Sequence, residues 1–171
     1  EKIGTVVDGQ YRQLNSNILQ IENEFYNTMR PKQIAQSGEK PTMALKRRGV
    51  CYIEMRSLDL DLFNPIGIDE DKARFIEALL LTCLLQDSPK TSDQEHQVNN
   101  ANQLAVANFG RKPGLELDKG NQKISLRDWA TEILVSMQSV CAILDQHDTA
   151  KPYSTALAKQ QLIVDNPDLT A

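Results

Sequence analysis

Two short segments of the chain carry ionisable side chains spaced two residues apart. One segment spans residues 51–59 and the other spans residues 21–26. The side chains concerned are Tyr52, Glu54 and Arg56 in the later segment, and Glu22, Glu24 and Tyr26 in the earlier one. Because residues two apart project from the same face of a strand, each segment predicts a charged strand face. Such a face is either solvated or a binding site for cations and phosphates.

The chemistry of these side chains favours phosphoryl transfer. Magnesium prefers oxygen ligands and is typically held by one or two carboxylates together with the phosphates of a substrate. Arg56, two residues from Glu54, offers a planar fork that can clamp a phosphate or a carboxylate. A solvated face without any ligand is the alternative, since charged residues are mostly exposed. The sequence has neither a Walker-type loop nor a GxGxxG motif, so it does not match the common nucleotide-binding folds.

The composition indicates a globular domain that binds neither nucleic acid nor membranes. The chain has 171 residues, enough for one domain with a sizeable core, and its net charge of −4 gives no general attraction to polyanions. The longest apolar run, residues 78–85, is far below the roughly 20 residues needed to cross a bilayer. Cys51, Cys83 and Cys141 lie in apolar patterns without a CxxC pair, which predicts buried, reduced thiols in a cytoplasmic protein.

The N-terminal part of the chain, residues 1–68, is predicted to be rich in strands. Asp8-Gly9 between two short apolar runs predicts a hairpin. Alternating side chains predict strands over residues 18–26 and 50–60, with the apolar side chains between the charged ones turned towards a core. Pro31 is expected to end the first of these strands and to be followed by a flexible loop as far as residue 40.

The remaining residues, 69–171, have the periodicity of helices, so the sequence predicts an α+β protein that forms one continuous domain. Asp69 is expected to cap a helix that is apolar nearly all round from residue 75 to 85, which predicts a buried helix. Further helices are expected to start at Ser92 or the residue after it, at Ser125 with an apolar stripe to residue 144, and near residue 153. Residues 111–122 are predicted to be a loop.

Two basic segments are weaker candidates for anion binding. Arg47 and Arg48 precede the second predicted strand, and we interpret them as a solvated end of a loop. The segment 110–114 (GRKPG) is interpreted as a turn between helices, with Gly110 ending the first helix.

Several motifs resemble the bacterial, proteobacterial-type glutamate–cysteine ligases, and they occur in the order of that family. The matching segments are residues 9–15, 17–26 (NILQIENEFY), 30–32, 52–59 (YIEMRSLD), 65–67, 110–115 (GRKPGL) and 165–170. The family's chain is much longer, so the resemblance implies that these residues are a middle-to-late fragment of an enzyme and that the fragment is inactive alone.

The resemblance also implies a reaction and a fold. Family members join the γ-carboxylate of L-glutamate to the amine of L-cysteine at the expense of ATP, through γ-glutamyl phosphate, in the first step of glutathione biosynthesis. The implied fold is similar to that of glutamine synthetase, with a curved antiparallel sheet, Mg²⁺ on its floor and helices around it. The implied partners are L-glutamate, L-cysteine, ATP and the remainder of the same chain.

Three residues match positions in the family's active site. Glu54 matches a glutamate that binds Mg²⁺ beside the ATP phosphates. Arg56 matches a catalytic arginine that faces the transferred phosphoryl group, and Tyr26 matches a tyrosine that lines the cysteine site. The competing hypothesis is a non-catalytic α+β interaction domain with a solvated charged face, which leaves the ordered motifs unexplained.

Overall fold

The computed structural model describes residues 6–11 and 26–169. The chain divides into two compact units, Glu1–Leu60 and Asp61–Ala171. The described residues form five α-helices and three two-stranded antiparallel sheets, so the predicted α+β class is confirmed. The predicted strand over residues 18–26 lies outside the described residues except for Tyr26, which is not in a strand.

The predicted hairpin around Asp8-Gly9 is confirmed. Strands β1 (Val6–Val7) and β2 (Gln10–Tyr11) are antiparallel, and Val7 is paired with Gln10. Asp8 and Gly9 have φ angles of 52° and 76°. Positive φ at both central residues gives the turn the twist that a two-residue hairpin needs, which is why Asp-Gly is favoured there.

A second antiparallel pair in the first unit carries the charged face. Strand β3 (Met29–Lys32) pairs with β4 (Tyr52–Met55), and Arg30 lies opposite Glu54. The expectation that Pro31 ends a strand is wrong, because Pro31 lies inside β3, opposite Ile53. A proline is tolerated on an edge strand, where its missing N–H costs no ladder hydrogen bond.

Residues 33–40 form a loop, as expected, but the basic residues Arg47 and Arg48 end a helix rather than a loop. Helix α1 (Pro41–Arg48) starts with a proline, whose fixed φ suits the first helical position, and ends at Gly49. The Arg48 guanidinium donates to both carboxylate oxygens of Glu39, at 3.0 and 2.6 Å, and to the Ile34 carbonyl at 2.8 Å. This bidentate pair lowers the pKa of Glu39 to about 2. Arg48 therefore fastens the connection between β3 and α1.

The second unit contains four helices whose predicted starts are confirmed. Their bounds are α2 Glu70–Leu85, α3 Asp93–Phe109, α4 Leu126–Leu144 and α5 Pro152–Asp165, and a short 3₁₀ helix, Pro167–Leu169, follows. Asp69 accepts a hydrogen bond from the Lys72 amide at 2.6 Å, and Ser125 accepts one from the Asp128 amide at 3.0 Å. Ser92 and Glu95 form a complete capping box.

The predicted loop over residues 111–122 contains part of a hairpin instead. Strand β5 (Glu116–Lys119) pairs with β6 (Gln122–Ser125) through the two-residue connection Gly120-Asn121. Gly-Asn between residues that alternate in type is a hairpin signal. Strands β5 and β6 contain few β-branched or aromatic residues, so their β-propensity is low. For this reason the hairpin was not recognised from the sequence.

The core of the second unit is formed by α2, α4 and α5. Its buried side chains are those of Ala78, Leu134, Met137, Cys141 and Leu157. The prediction that α2 is buried all round is wrong at its C-terminal end, where Leu84 and Leu85 are 77% and 75% exposed. The prediction of three buried thiols holds for Cys141 alone, because Cys51 and Cys83 are exposed.

Asp145, at the C-terminal end of α4, caps the next helix. It is 6% exposed, and its two carboxylate oxygens accept hydrogen bonds from the amides of Tyr153 and Ser154 at 2.9 and 2.8 Å. Burial alone would raise the pKa of this carboxyl group, but the hydrogen bonds from Ser154 and Tyr153 outweigh it and lower the pKa. A carboxylate at the N-terminus of α5 is also favoured by the helix dipole.

We expect Met137→Ala to lower the free energy of unfolding of the 171-residue chain by about 2–5 kcal/mol, because it leaves a cavity among packed side chains. Met137 is fully buried, whereas Ile143 on the same helix is 66% exposed. Ile143→Ala is the control and should change stability by no more than about 0.5 kcal/mol. Urea titration measures both, and equal losses would show that the core is elsewhere.

We expect Asp145→Ala to destabilise the chain at neutral pH by about 0.5–2 kcal/mol, the usual loss for a helix cap. The pKa of Asp145 is lowered from 3.8 in the folded state, so its stabilisation is complete above that value and is lost as the pH falls through the folded pKa. Urea titrations from pH 7 to pH 2 should therefore show wild type and variant converging in acid. Asp87→Ala, an exposed carboxylate, is the control; a pH-independent gap for Asp145→Ala would contradict the assignment.

Candidate functional site

The register of β3 and β4 places five polar side chains on one face of the sheet. Arg30 and Lys32 lie directly opposite Glu54 and Tyr52, and alternate residues of a strand share a face. The Arg56 amide continues the ladder by donating to the Thr28 carbonyl at 2.8 Å, which places Arg56 on the same face as Glu54. The predicted face of Tyr52, Glu54 and Arg56 thus lies against two cations of β3.

Glu54 is shared between two cations. The Arg56 Nη2 atom donates to Glu54 Oε1 at 3.0 Å, and Lys32 Nζ lies 3.0 Å from Oε2. The lysine contact is an ion pair, and Oε2 is shielded from solvent. Arg56, and after it Lys32, lower the pKa of Glu54, so the carboxylate is ionised at neutral pH.

Tyr26 joins this group through Arg56. The Arg56 guanidinium carbon lies 5.5 Å from the centre of the Tyr26 ring, within the range of a cation–π contact. The three residues matched to the family's active site are therefore brought together, with Arg56 between the other two. The ring itself is 68% exposed. Glu22 and Glu24, predicted to share a face with Tyr26, lie outside the described residues.

The opposite face of this sheet is apolar and exposed, contrary to the expectation that it would form a core. Met29 and Ile53 are 41% and 48% exposed, and Pro31 and Cys51 are exposed as well. Two strands need a further layer to cover an apolar face. Helix α1 lies against β3, and its only buried residue is Ala44. One short helix is too small to provide that layer.

Sequence reasoning missed Arg30 and Lys32. Their spacing of two residues is the same signal that identified Glu54 and Arg56. It was hidden by Pro31 between them, which was interpreted as the end of a strand. With these residues the charged side chains described on the face are three cations and one carboxylate.

Elsewhere the described residues contain little that could form a second site. The segment 110–114 is a turn, as predicted, and Arg111 Nη2 lies 3.5 Å from Asp168 Oδ1. Within residues 6–11 and 26–169, no three histidine, cysteine or carboxylate side chains are grouped to hold a metal ion. No helix in the same part of the chain has the length and hydropathy to span a bilayer.

An ionised carboxylate flanked by guanidinium and ammonium groups suits an anionic ligand that is accompanied by a hard cation, as a nucleotide triphosphate is by Mg²⁺. Comparison with known proteins gives the family.

Residues 1–106 match the sequence profile of the glutamate–cysteine ligase family. The glutamate–cysteine ligases of Pseudomonas putida strain KT2440 and Azotobacter vinelandii are 47% and 48% identical to this chain, over 99% and 98% of its length. The crystal structure of a glutamate–cysteine ligase from Francisella tularensis in complex with AMP superposes with a TM-score of 0.81 at 41% identity, over 95% of this chain. The chain belongs to the glutamate–cysteine ligase family, as its motifs predict.

The chain spans about a third of the length of these relatives. It covers 32% of each of the two ligases and 32% of the structure bound to AMP. Family membership explains why the motifs run in order from one end of the chain to the other. An unrelated interaction domain would not explain this order.

Proposed function

We propose that the protein containing this chain is an ATP-dependent carbon–nitrogen ligase that joins L-glutamate to L-cysteine in the cytoplasm. Glutamate would be activated as γ-glutamyl phosphate, and the cysteine amine would then displace the phosphate, in the first step of glutathione biosynthesis. Residues 1–68 would supply strands of the active-site sheet and residues 69–171 a helical region of the same domain. The observation that carries the proposal is the contact of Arg56 with both Glu54 and Tyr26.

Arg56 is the proposed catalytic residue. Phosphoryl transfer depends mainly on positioning and on neutralising the charge of the transferred group. A guanidinium has five N–H donors in a fixed fork, and the described structure uses one of its edges on Glu54 Oε1. The remaining donors can bind the oxygens of the phosphoryl group.

Tyr26 is the proposed substrate-binding residue, on the cysteine side of the site. Its exposed ring contacts the Arg56 guanidinium, so a cysteine held against the ring would lie near the phosphoryl group that its amine must displace. The AMP bound by the Francisella tularensis ligase supports the use of an adenine nucleotide by this chain as well.

Glu54 is the proposed ligand of Mg²⁺. Its Oε2 atom is shielded from water, and a carboxylate oxygen is the ligand that Mg²⁺ prefers. When bound, the ion would neutralise charge on the ATP phosphates. One carboxylate cannot complete such a site, so other ligands must come from outside the described residues or from the nucleotide.

We expect the 171-residue chain by itself to form no γ-glutamylcysteine, because Glu54 alone supplies too few oxygen ligands for Mg²⁺ beside a triphosphate. An assay with ATP, L-glutamate and L-cysteine checks this, with the full-length protein as the positive control. Turnover by the short chain at about 1 per second or faster, an ordinary rate for an enzyme, would show that its site is complete.

In the full-length protein we expect Glu54→Gln to lower kcat by at least about a hundredfold, because it keeps the shape but removes the charge that a cation needs. Arg56→Lys should also lower kcat strongly, because an ammonium cannot reproduce the two-pronged contact of a guanidinium.

Met55→Leu is the matched control for both variants, because Met55 lies between Glu54 and Arg56 in sequence but on the opposite face. It should leave kcat nearly unchanged. Steady-state kinetics of the three variants decides the matter. Normal turnover by Glu54→Gln, or equal damage by Met55→Leu, would place the chemistry elsewhere.

A further inference from the structure

The charged face of β3 and β4 carries more positive charge than a surface that only binds Mg²⁺ is expected to carry. Arg30, Lys32 and Arg56 share it with the one carboxylate of Glu54. These four side chains have a net charge of +2. A bare divalent cation is repelled by such a face, whereas a polyanion is attracted to it.

Lys32 and Arg56 hold opposite oxygens of the same carboxylate. Arg56 contacts Oε1 and Lys32 contacts Oε2, both at 3.0 Å. The two cations therefore lie on either side of the Glu54 carboxylate. The Lys32 side chain remains 27% exposed. Its ammonium has three donors, and the ion pair with Oε2 engages one of them, so two are available to another anion.

Arg30 extends this arrangement. It lies directly opposite Glu54 in the register of the two strands. No carboxylate among the described residues forms an ion pair with it. A guanidinium and an ammonium two residues apart on one strand present two cations to the same side of the face.

We propose that Lys32, assisted by Arg30, binds phosphate oxygens of the nucleotide and forms a clamp with Arg56 around Glu54. The proposal rests on the proposed function, since the ligand is the triphosphate that the ligase reaction consumes. Lys32 is not among the residues matched to the family's active site, and in this role it contacts the substrate itself.

A purely structural role for Lys32 predicts a different change in Mg²⁺ requirement and nucleotide affinity than phosphate binding does. If Lys32 only orients Glu54, its loss should raise the Mg²⁺ concentration needed for half-maximal activity and leave nucleotide affinity unchanged. If Lys32 binds phosphate, its loss should weaken nucleotide binding. The Mg²⁺ requirement at saturating nucleotide should then stay the same or fall, because one positive charge near Glu54 has been removed.

The test uses the full-length protein with Lys32→Met, Lys32→Gln and Lys32→Arg. Calorimetric titration with a non-hydrolysable ATP analogue and Mg²⁺ gives Kd, and steady-state assays give kcat, KM for ATP and the Mg²⁺ requirement. We expect Kd and KM to rise about tenfold or more in Lys32→Met, the order for losing one charge-assisted hydrogen bond, while kcat changes much less. Lys32→Arg should restore most of the affinity.

Lys40→Met is the matched control, because Lys40 is an exposed lysine at the start of α1 whose side chain does not cap the helix. It should leave Kd unchanged. If Lys32→Met does not fold by circular dichroism, Lys32→Gln, which keeps a polar side chain, takes its place. Unchanged Kd in the folded variants, or a higher Mg²⁺ requirement with unchanged Kd, would overturn the proposal.

The outcomes also separate this proposal from the proposed function. If the wild-type protein ligates glutamate and cysteine but Lys32→Met binds the analogue normally, only the role of Lys32 is wrong. If the wild-type protein binds the analogue without ligating, and binding is lost in Lys32→Met, the phosphate clamp is correct and the ligase assignment is wrong. If the wild-type protein does not bind the analogue, both are wrong.

Discussion

The candidate site depends on the pairing of β3 with β4. Arg30 and Lys32 come from one strand, and Glu54 comes from the other, so their contacts exist only in the observed register. A shift of one residue would turn Lys32 to the opposite face and leave Glu54 without it. Each of these strands has only four residues, and two such strands are weakly stable alone. The ion pair between Lys32 and Glu54 therefore contributes to the register that it requires.

The segment that connects β3 to β4 also helps to hold their register. The bidentate contact of Arg48 with Glu39 joins the end of α1 to the segment before it. Gln33 donates to the Gly49 carbonyl at 3.0 Å, which ties the end of β3 to the residues just before β4. A connection held in this way limits the sliding of one strand along the other.

The sequence predicted the helices well because their signals are local. Asp69, Ser92 and Ser125 each stand just before a helix and accept a hydrogen bond from the third residue beyond them, so a pattern of four residues is sufficient. Burial depends on distant neighbours and was predicted less well. Leu84 and Leu85 continue the apolar run of α2 but extend beyond the side chains that α4 and α5 supply.

In the site, too, the features that depend on neighbouring residues were predicted and those that depend on distant residues were missed. Glu54 and Arg56 were placed on one face by spacing alone, and the contact between them follows from that spacing. Tyr26 was grouped with them through the resemblance to a family, and its ring contacts Arg56, although the strand predicted to hold it is not a strand at that residue. Lys32 was missed because its partner is 22 positions away in the chain, and only the pairing of β3 with β4 brings the two together.

Arg56 links the two halves of the proposed reaction. The Tyr26 ring lies 5.5 Å from the Arg56 guanidinium carbon, within cation–π range, and Glu54 Oε1 accepts a hydrogen bond from Nη2. Two contacts of this kind restrict where the remaining donors of Arg56 can lie. Donors held in place before the substrate arrives need no reorganisation when charge develops on a transferred phosphoryl group. In the proposed ligase, the ring that contacts Arg56 would also be a wall of the cysteine site. The same pair of side chains would then position the nucleophile and the group that it displaces.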